Sequence, residues 1–287
     1  CALVSGLITM LMAFYTNLPF ALSTGMGSNF ILGAMIQSQA ISFGSAMLIT
    51  LVSGIIFVAL TVFGLRDLIV RVIPKNLKIA ISASIGFFIA YLGFKNSGIG
   101  SFANGIALGD ITAPAVLLSI GGLLLMIVLN ALNVKGAILI SILAITLIGI
   151  PCGVTQISGV AAVPDFSDLS NVMLNFDLSN VFTASGLILV FVCFFGDFFS
   201  TLGTVLAVAG RANMLDENGN LPGIERPFLV DAIGTCVGAL TGNTTVTTFV
   251  ESTSGVEAGG RSGLTSLVTG VMFLLTVFLA PLFVAIP

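Results

Sequence analysis

The stretch that decides the fold is Thr241-Gly-Asn-Thr-Thr-Val-Thr-Thr-Phe-Val-Glu-Ser-Thr-Ser-Gly-Val-Glu-Ala-Gly-Gly-Arg261. It lies between two strongly apolar segments, yet it carries six threonines, two serines, four glycines and two carboxylates. A helix that faced lipid throughout could not carry these groups, because each unsatisfied polar group in hydrocarbon costs several kcal/mol. A carboxylate such as Glu251 at the bilayer centre costs roughly 2.5 kcal/mol or more. The stretch therefore predicts a polar site at mid-depth in a membrane protein.

Composition points to the same class of protein. The chain is 57% hydrophobic and 7% charged, whereas soluble domains are about 25% charged. We therefore expect an all-α polytopic protein with the lipid bilayer as its solvent. The net charge of −3 gives no indication of a nucleic-acid partner. The chain has no histidine, so any proton coupling would have to use carboxylates or water.

The sequence argues against an enzyme. A membrane-embedded enzyme would need a nucleophile–base pair or metal ligands, but the chain has no histidine and its four cysteines form no C-x-x-C pair. The acidic loop 210–226 lacks the ligand spacing of a calcium-binding loop. We therefore expect no catalytic residue, no metal ion and no cofactor.

Apolar runs predict seven membrane spans, since a helix needs about 20 apolar residues to cross a bilayer. They lie at 2–16 (cut short at the chain start), 43–64, 77–97, 112–132, 135–153, 182–208 and 263–285. A shorter helix is predicted at about 227–241, with Pro227 at its start, where a backbone donor is not needed.

Two further segments, 17–35 and 241–261, break this pattern. Each begins extended and then turns through Ser and Gly into a short helix. A pair of interrupted hydrophobic segments in matching positions of two halves is the best sequence pointer to a transporter site. We therefore expect the two segments to meet inside the membrane.

Positive charge predicts the orientation, because Lys and Arg collect in cytoplasmic loops. If the loop 65–78 is cytoplasmic, alternation of the spans places eight of the nine basic residues inside and only Lys95 outside. The long loop 154–181, which has three aspartates and no basic residue, is then extracellular.

Glu251 is the first candidate site residue. It opens the short helix of the second broken segment, where a carboxylate is favoured by the partial positive charge of the helix N-terminus. It could accept hydrogen bonds from the ring N–H groups of a planar ligand. The alternative is that it only caps the helix.

A second group of candidates lies in the span 182–208. At helical spacing Phe194, Asp197, Ser200, Thr201 and Thr204 share one face. A carboxylate at this depth needs a partner, and we expect one of the broken segments to supply it. The alternative is that Asp197 is a purely structural hydrogen-bond hub.

The remaining candidates are one asparagine, one aspartate and four phenylalanines. Asn29 in the first broken segment either reaches a ligand or ties strand to helix, and the sequence leaves both open. Asp231 is interpreted as an interfacial charge near a helix start rather than as a ligand. Four aromatic side chains could stack on a flat heterocycle: Phe20, Phe194, Phe198 and Phe249.

Several stretches together resemble the hypoxanthine/guanine/adenine permeases, a branch of the nucleobase:cation symporter-2 family (xanthine/uracil permeases). One is Ala21-Leu-Ser-Thr-Gly-Met-Gly-Ser-Asn29, and the others lie at 73–90, 135–140, 197–204 and 244–263. They cover nearly the whole chain in the order of the family.

The resemblance implies a fold of fourteen spans in two inverted seven-helix repeats, with short strands where the third and tenth spans meet. This chain would run from the second span to the eleventh, as part of a longer protein. The implied domains are the first half of a core domain (1–64), the first half of a gate domain (65–153), an extracellular loop (154–181) and the second core half (182–287).

The resemblance also implies residue roles. Asp197 matches the acidic residue of the eighth span, Glu251 the substrate carboxylate of the tenth and Asn29 the asparagine of the third. Ser200 stands where the family usually has a second aspartate, so proton coupling is expected at Asp197, Glu251 and the Ser200 position. The expected substrate-binding residues are Glu251, Asp197, Asn29, Phe249, Thr248, Phe194 and Thr201.

We therefore expect a multi-pass permease of the inner (plasma) membrane that imports purine nucleobases with H⁺ or Na⁺. Alternatives are the same fold carrying uracil, xanthine or an inorganic anion, or a fragment that does not transport. The oligomeric state, including a homodimer, stays open.

Overall fold

The computed structural model describes residues 1–64, 74–101, 107–134, 136–157, 159–164, 167 and 169–286. Part of the charge-based topology falls outside them: Arg66, Arg71, Lys135, Asp165 and Asp168. The predicted orientation in the membrane therefore stays a prediction.

Helices make up most of the described chain, joined by two short strand pairs. The helices are α1 (Ala2–Thr16), α2 (Met26–Gln37), α3 (Phe43–Val62), α4 (Lys75–Asn96), α5 (Pro114–Ala131), α6 (Ala137–Gly149), α7 (Leu169–Val172), α8 (Ala184–Arg211), α9 (Glu225–Leu240), α10 (Ser252–Glu257), α11 (Gly263–Thr276) and α12 (Ala280–Val284). The strands are β1 (Leu22–Thr24), β2 (Gly100–Ser101), β3 (Ala107–Leu108) and β4 (Val246–Thr248).

Four of the described helices have the length and apolar composition to cross a membrane, namely α3, residues 79–96 of α4, α5 and α8. Three shorter apolar helices are α1, α6 and α11. The prediction of one continuous span at 263–285 is wrong, because α11 ends at Thr276 and α12 begins at Ala280. Pro281 lies in the first turn of α12, where the helix does not need its backbone N–H. Within one continuous helix from Gly263 to Ala285, the same proline would remove a backbone hydrogen bond and clash with the preceding turn.

Both predicted breaks are present. In the first, β1 is followed directly by α2, whose N-cap is Gly25. In the second, β4 is followed by α10, whose N-cap is Glu251. The expectation of short strands in the two interrupted segments is confirmed.

The described chain forms two compact units. Unit 1 comprises 1–85 and 165–275, and unit 2 comprises 86–164 and 276–287. The domain boundaries inferred from the family resemblance stay a prediction.

The core of unit 1 is an aromatic cluster between α3, α8 and α9. The ring centroid of Phe57 lies 6.2 Å from that of Phe194, 6.0 Å from Phe198 and 5.9 Å from Phe228. Burying one such side chain stabilises the fold by about 1.5–3 kcal/mol. The cluster packs both α8 and α9 against α3, which matters because both carry the polar residues described below.

The turn into β1 is tied to the start of α11. Asn17 adopts a left-handed conformation (φ 54°), and its Oδ1 accepts a hydrogen bond from the Gly263 N–H at 2.9 Å. The Ser266 hydroxyl donates to the carbonyl oxygens of Leu18 (2.6 Å) and Phe20 (2.7 Å). These bonds fix where the first broken segment enters the core.

Unit 2 contains α5 and α6, which pack side by side with Gly122 against Ile145. It also contains the antiparallel pair β2–β3, in which Gly100 is opposite Leu108. The candidate site residues described below all lie in unit 1.

Candidate functional site

The two broken segments meet as an antiparallel strand pair. Leu22 is opposite Thr248, and Thr24 is opposite Val246. The pairing continues at both ends. The Gly25 N–H donates to the Thr245 carbonyl oxygen (2.7 Å), and the Phe249 N–H donates to the Ala21 carbonyl oxygen (3.2 Å). The backbone of each broken segment thus provides hydrogen-bond partners for the backbone of the other.

Helices cover both outer edges of this strand pair. The Leu22 N–H donates to Thr9 Oγ1 of α1 (3.0 Å), and the Thr9 hydroxyl lies 3.2 Å from the Leu22 carbonyl oxygen. On the other edge, the Thr248 N–H donates to Asp231 Oδ1 of α9 at 2.6 Å. A two-stranded ribbon has open N–H groups on both edges, and inside a membrane these must be satisfied by protein groups.

Two glycines let α9 lie directly against β4. A Cβ on Gly234 would come within 2.5 Å of the Val246 carbonyl oxygen, and one on Gly238 would come still closer to the Thr244 carbonyl oxygen. Any larger residue would push the helix away from the strand. The close approach is what allows side chains of α9 to reach the strand backbone.

Asp231 is fully buried, with 0% of its surface exposed. In addition to the Thr248 N–H, it accepts hydrogen bonds from the hydroxyls of Thr201 (2.7 Å) and Thr247 (3.0 Å). Its interpretation as an interfacial charge is wrong. It lies beyond the first turn of α9, on the face that packs against β4, so it is a buried acceptor that holds the strand.

Asp197 on α8 is 2% exposed, and its Oδ2 accepts a hydrogen bond from the Thr235 hydroxyl at 2.8 Å. Thr235 belongs to the regular helix α9, but the Thr247 hydroxyl of β4 is a further hydrogen-bond partner of Asp197, so a broken segment does supply one of its partners, as expected. The hydroxyls of Thr201 and Thr247 lie 3.1 Å apart between α8 and β4. Asp197 and Asp231 therefore share one buried polar layer.

Sequence reasoning missed Thr235 and misread Asp231, although a signal for both was present. Asp231, Gly234, Thr235 and Gly238 are spaced i, i+3, i+4 and i+7, which places them on one face of a helix. An acid, a hydroxyl and two glycines on one face indicate close contact with a polar backbone.

The remaining polar candidates lie around the strand pair. The Thr244 hydroxyl donates to Asn29 Oδ1 at 2.7 Å, so Asn29 does tie α2 to the other half. Glu251 is exposed at the start of α10, and within residues 169–286 its side chain makes no capping hydrogen bond. Ser200 is half-buried on α8. Asn29 and Glu251 thus lie at the starts of the two helices that follow the strands.

The aromatic candidates divide into two groups. Three are buried in the hydrophobic core: Phe20, Phe194 and Phe198. Phe249 is half-buried, and its ring meets that of Phe273 in a T-shaped arrangement at 6.3 Å. Phe249 is therefore the candidate whose face is most accessible to a flat ligand.

The model of the Permease family matches residues 2–287. The chain belongs to that family. This permease-family chain is 35% identical over 289 residues to the adenine permease AdeQ of Escherichia coli K12, covering 99% of the chain and 64% of that protein. It is 36% identical over 286 residues to the guanine/hypoxanthine permease PbuO of Bacillus subtilis, covering 96% and 65%. The resemblance to the purine branch of the nucleobase:cation symporter-2 family is confirmed.

The chain spans about two thirds of the length of these relatives, 64% and 65%. Among solved structures, the transmembrane domain of the cyanobacterial bicarbonate transporter BicA matches with a TM-score of 0.65 at 15% identity, covering all of this chain and 76% of that one. That likeness shows the fold. The permease-family chain is therefore a polytopic helical protein of the plasma membrane, and the fourteen-span count stays a prediction.

We expect Gly238→Ala to lower the thermal stability of the purified complete protein. The added Cβ would meet the Thr244 carbonyl oxygen, and overpacking of this kind costs about 1–3 kcal/mol. The measurement is the melting temperature in detergent. Gly196→Ala on α8 is the matched control, because a Cβ there has no atom within 4 Å. Equal melting temperatures for the two variants would contradict the close approach of α9 to β4.

We expect Asp231→Ala to destabilise the protein more than Asp231→Asn. Alanine leaves the Thr248 N–H and two hydroxyls without their acceptor, and an unsatisfied buried donor costs about 1–3 kcal/mol. Asparagine keeps one acceptor oxygen. Thermal unfolding of both variants is compared with that of Ser200→Ala on α8. A melting temperature for Asp231→Ala equal to the parent value would show that Asp231 does not hold β4.

Proposed function

We propose that the complete protein is a secondary transporter that imports purine nucleobases such as hypoxanthine, guanine or adenine. The proposal rests on one observation: the two broken segments meet as the β1–β4 strand pair, and the buried Asp231 and Asp197 lie beside it. Relatives that match nearly the whole chain are named adenine and guanine/hypoxanthine permeases.

In this proposal the purine lies at the starts of α2 and α10, next to the strand pair. Glu251 accepts hydrogen bonds from ring N–H groups, which suits an exposed carboxylate that does not cap its own helix. The Asn29 amide adds a polar contact from the first half, and Phe249 covers one face of the ring. The start of α2 also presents to ring nitrogens and carbonyls the first N–H groups that a helix leaves without an intrahelical partner.

Asp197, Thr201 and Thr248 form the wall behind this site. Because they are buried, they act mainly by holding the strand and α8 in place. We propose that coupling uses H⁺, with Asp197 and Glu251 as the carboxylates that exchange it, since the chain has no histidine. Alternating access would follow from movement of the core domain against the gate domain.

We expect Glu251→Gln to reduce uptake of radiolabelled hypoxanthine by about tenfold or more, because a hydrogen bond to a charged acceptor contributes about 1.5–3 kcal/mol. The test uses cells that carry the complete gene and lack their own purine uptake. Glu257→Gln is the matched control, because its carboxylate belongs to the same short helix but pairs with Arg211 at 2.7 Å. Unchanged uptake by Glu251→Gln at equal expression would refute the role of Glu251.

A competition panel separates this proposal from the same fold with another substrate. We expect unlabelled hypoxanthine, guanine or adenine to inhibit uptake, and uracil, xanthine and bicarbonate not to do so. An inorganic anion is disfavoured because a carboxylate at the site repels it in a low-dielectric setting. Inhibition by bicarbonate but not by purines would overturn the purine assignment. Repeating the panel at two pH values in sodium-free buffer separates H⁺ from Na⁺ coupling.

A further inference from the structure

Residues 172–181, here called the brace, precede the N-terminus of α8. They lead from α7 to α8 and run across the N-terminus of α3 and the C-terminus of α9. The opposite end of α8 carries the Arg211–Glu257 ion pair. Since α8 has 28 residues, the two ends are separated by about 42 Å.

Asp177 attaches the brace to α3. Its Oδ2 accepts hydrogen bonds from the hydroxyls of Ser42 (2.6 Å) and Ser45 (3.2 Å), the N-cap residue and an early residue of the helix. A Cβ on Gly44 would lie 3.0 Å from the Cβ and the backbone N of Asp177, so the two backbones are in direct contact. A carboxylate at a helix N-terminus is also favoured by the helix dipole.

The charge of Asp177 is held by these contacts. The Ser42 hydroxyl, together with the backbone N–H and hydroxyl of Ser179, lowers the pKa of Asp177 to about 2. The carboxylate therefore stays ionised at neutral and mildly acidic pH, so the attachment to α3 does not switch in that range.

The brace also completes the C-terminus of α9. The Leu174 N–H donates to the Leu240 carbonyl oxygen at 3.0 Å, which satisfies one of the last four carbonyls that a helix leaves unpaired. Gly242, with φ +75°, packs against Val172, and a Cβ on it would lie 3.0 Å from the Val172 carbonyl oxygen. The chain enters β4 at Val246, only a few residues later.

We propose that the brace is a fixed positioning element rather than a lid. It holds the N-terminus of α3 and the C-terminus of α9 together throughout the transport cycle, and so sets where β4 begins. The two helices come from different halves of the chain, so the brace joins them at a place the strand pair does not reach. The part of this inference that concerns transport rests on the proposed function, whereas the part that concerns stability does not.

A covalent bond in place of the Asp177 contact tests the proposal. The pair Gly44→Cys and Asp177→Cys is introduced into the complete protein with Cys1 and Cys152 replaced by Ser. The Cβ separation of 3.0 Å is close to the roughly 3.5–4.5 Å of a disulfide, so a small shift allows the bond, and loss of maleimide labelling verifies it. We expect the oxidised protein to keep at least half of its parent's hypoxanthine uptake. Loss of uptake on oxidation that dithiothreitol reverses would show that the brace must open, and would overturn the proposal.

A thermal comparison gives a readout that does not depend on transport. We expect Asp177→Ala to lower the melting temperature by about 2–4 °C or more. We expect oxidation of the double cysteine variant to return its melting temperature to the parent value. Asp110→Ala is the matched control, because Asp110 accepts hydrogen bonds from its near neighbour Thr112. An unchanged melting temperature for Asp177→Ala would overturn the brace. A parent protein without purine uptake would contradict the proposed function alone, and the thermal comparison would then decide the brace.

Discussion

The structure depends on one constraint, which is that every backbone polar group inside hydrocarbon must find a partner within the protein. Each of the two broken segments by itself would leave backbone groups unpaired, because neither is helical along its whole length. Paired through β1 and β4, the two segments satisfy each other's backbone groups. The bonds from Gly25 to Thr245 and from Phe249 to Ala21 close both ends of the strand pair. The outer edges are then closed by Thr9 from one helix and Asp231 from another. A site with irregular backbone of this kind is therefore stable only as part of this assembly.

The same constraint explains why polar residues occur where they do on α8 and α9. Gly234 and Gly238 bring α9 to the strand, and Asp231 takes up the donors that this approach would otherwise leave unpaired. Thr201 and Thr235 complete the layer by linking each aspartate to the neighbouring helix. The aromatic cluster around Phe57 packs the same two helices against α3. The buried polar layer and the aromatic core of unit 1 thus depend on the same two helices.

The breaks themselves could be predicted from sequence, because threonine, serine and glycine at 241–261 are incompatible with a lipid-facing helix. The helix face with Asp197 and Thr201 also follows from spacing alone. The role of Asp231 could not be read in the same way, since a single acid near a helix start is equally compatible with the membrane interface. Its burial depends on the approach of β4, a segment whose position is set by pairing with the other half. The break before Ala280 could not be predicted from hydropathy, because the run 263–285 is mostly apolar and carries no charged residue, and a single proline hardly changes its mean hydropathy.

Pairing of distant segments has a consequence for biosynthesis. The Ala21 N–H bonds to the Ser252 hydroxyl, 231 residues further along the chain. During synthesis the first half-crossing is therefore inserted long before its partner strand exists. Contacts of such high sequence separation form late and slowly. The nascent chain has to keep residues 21–25 hydrated or shielded by other means until β4 has been synthesised.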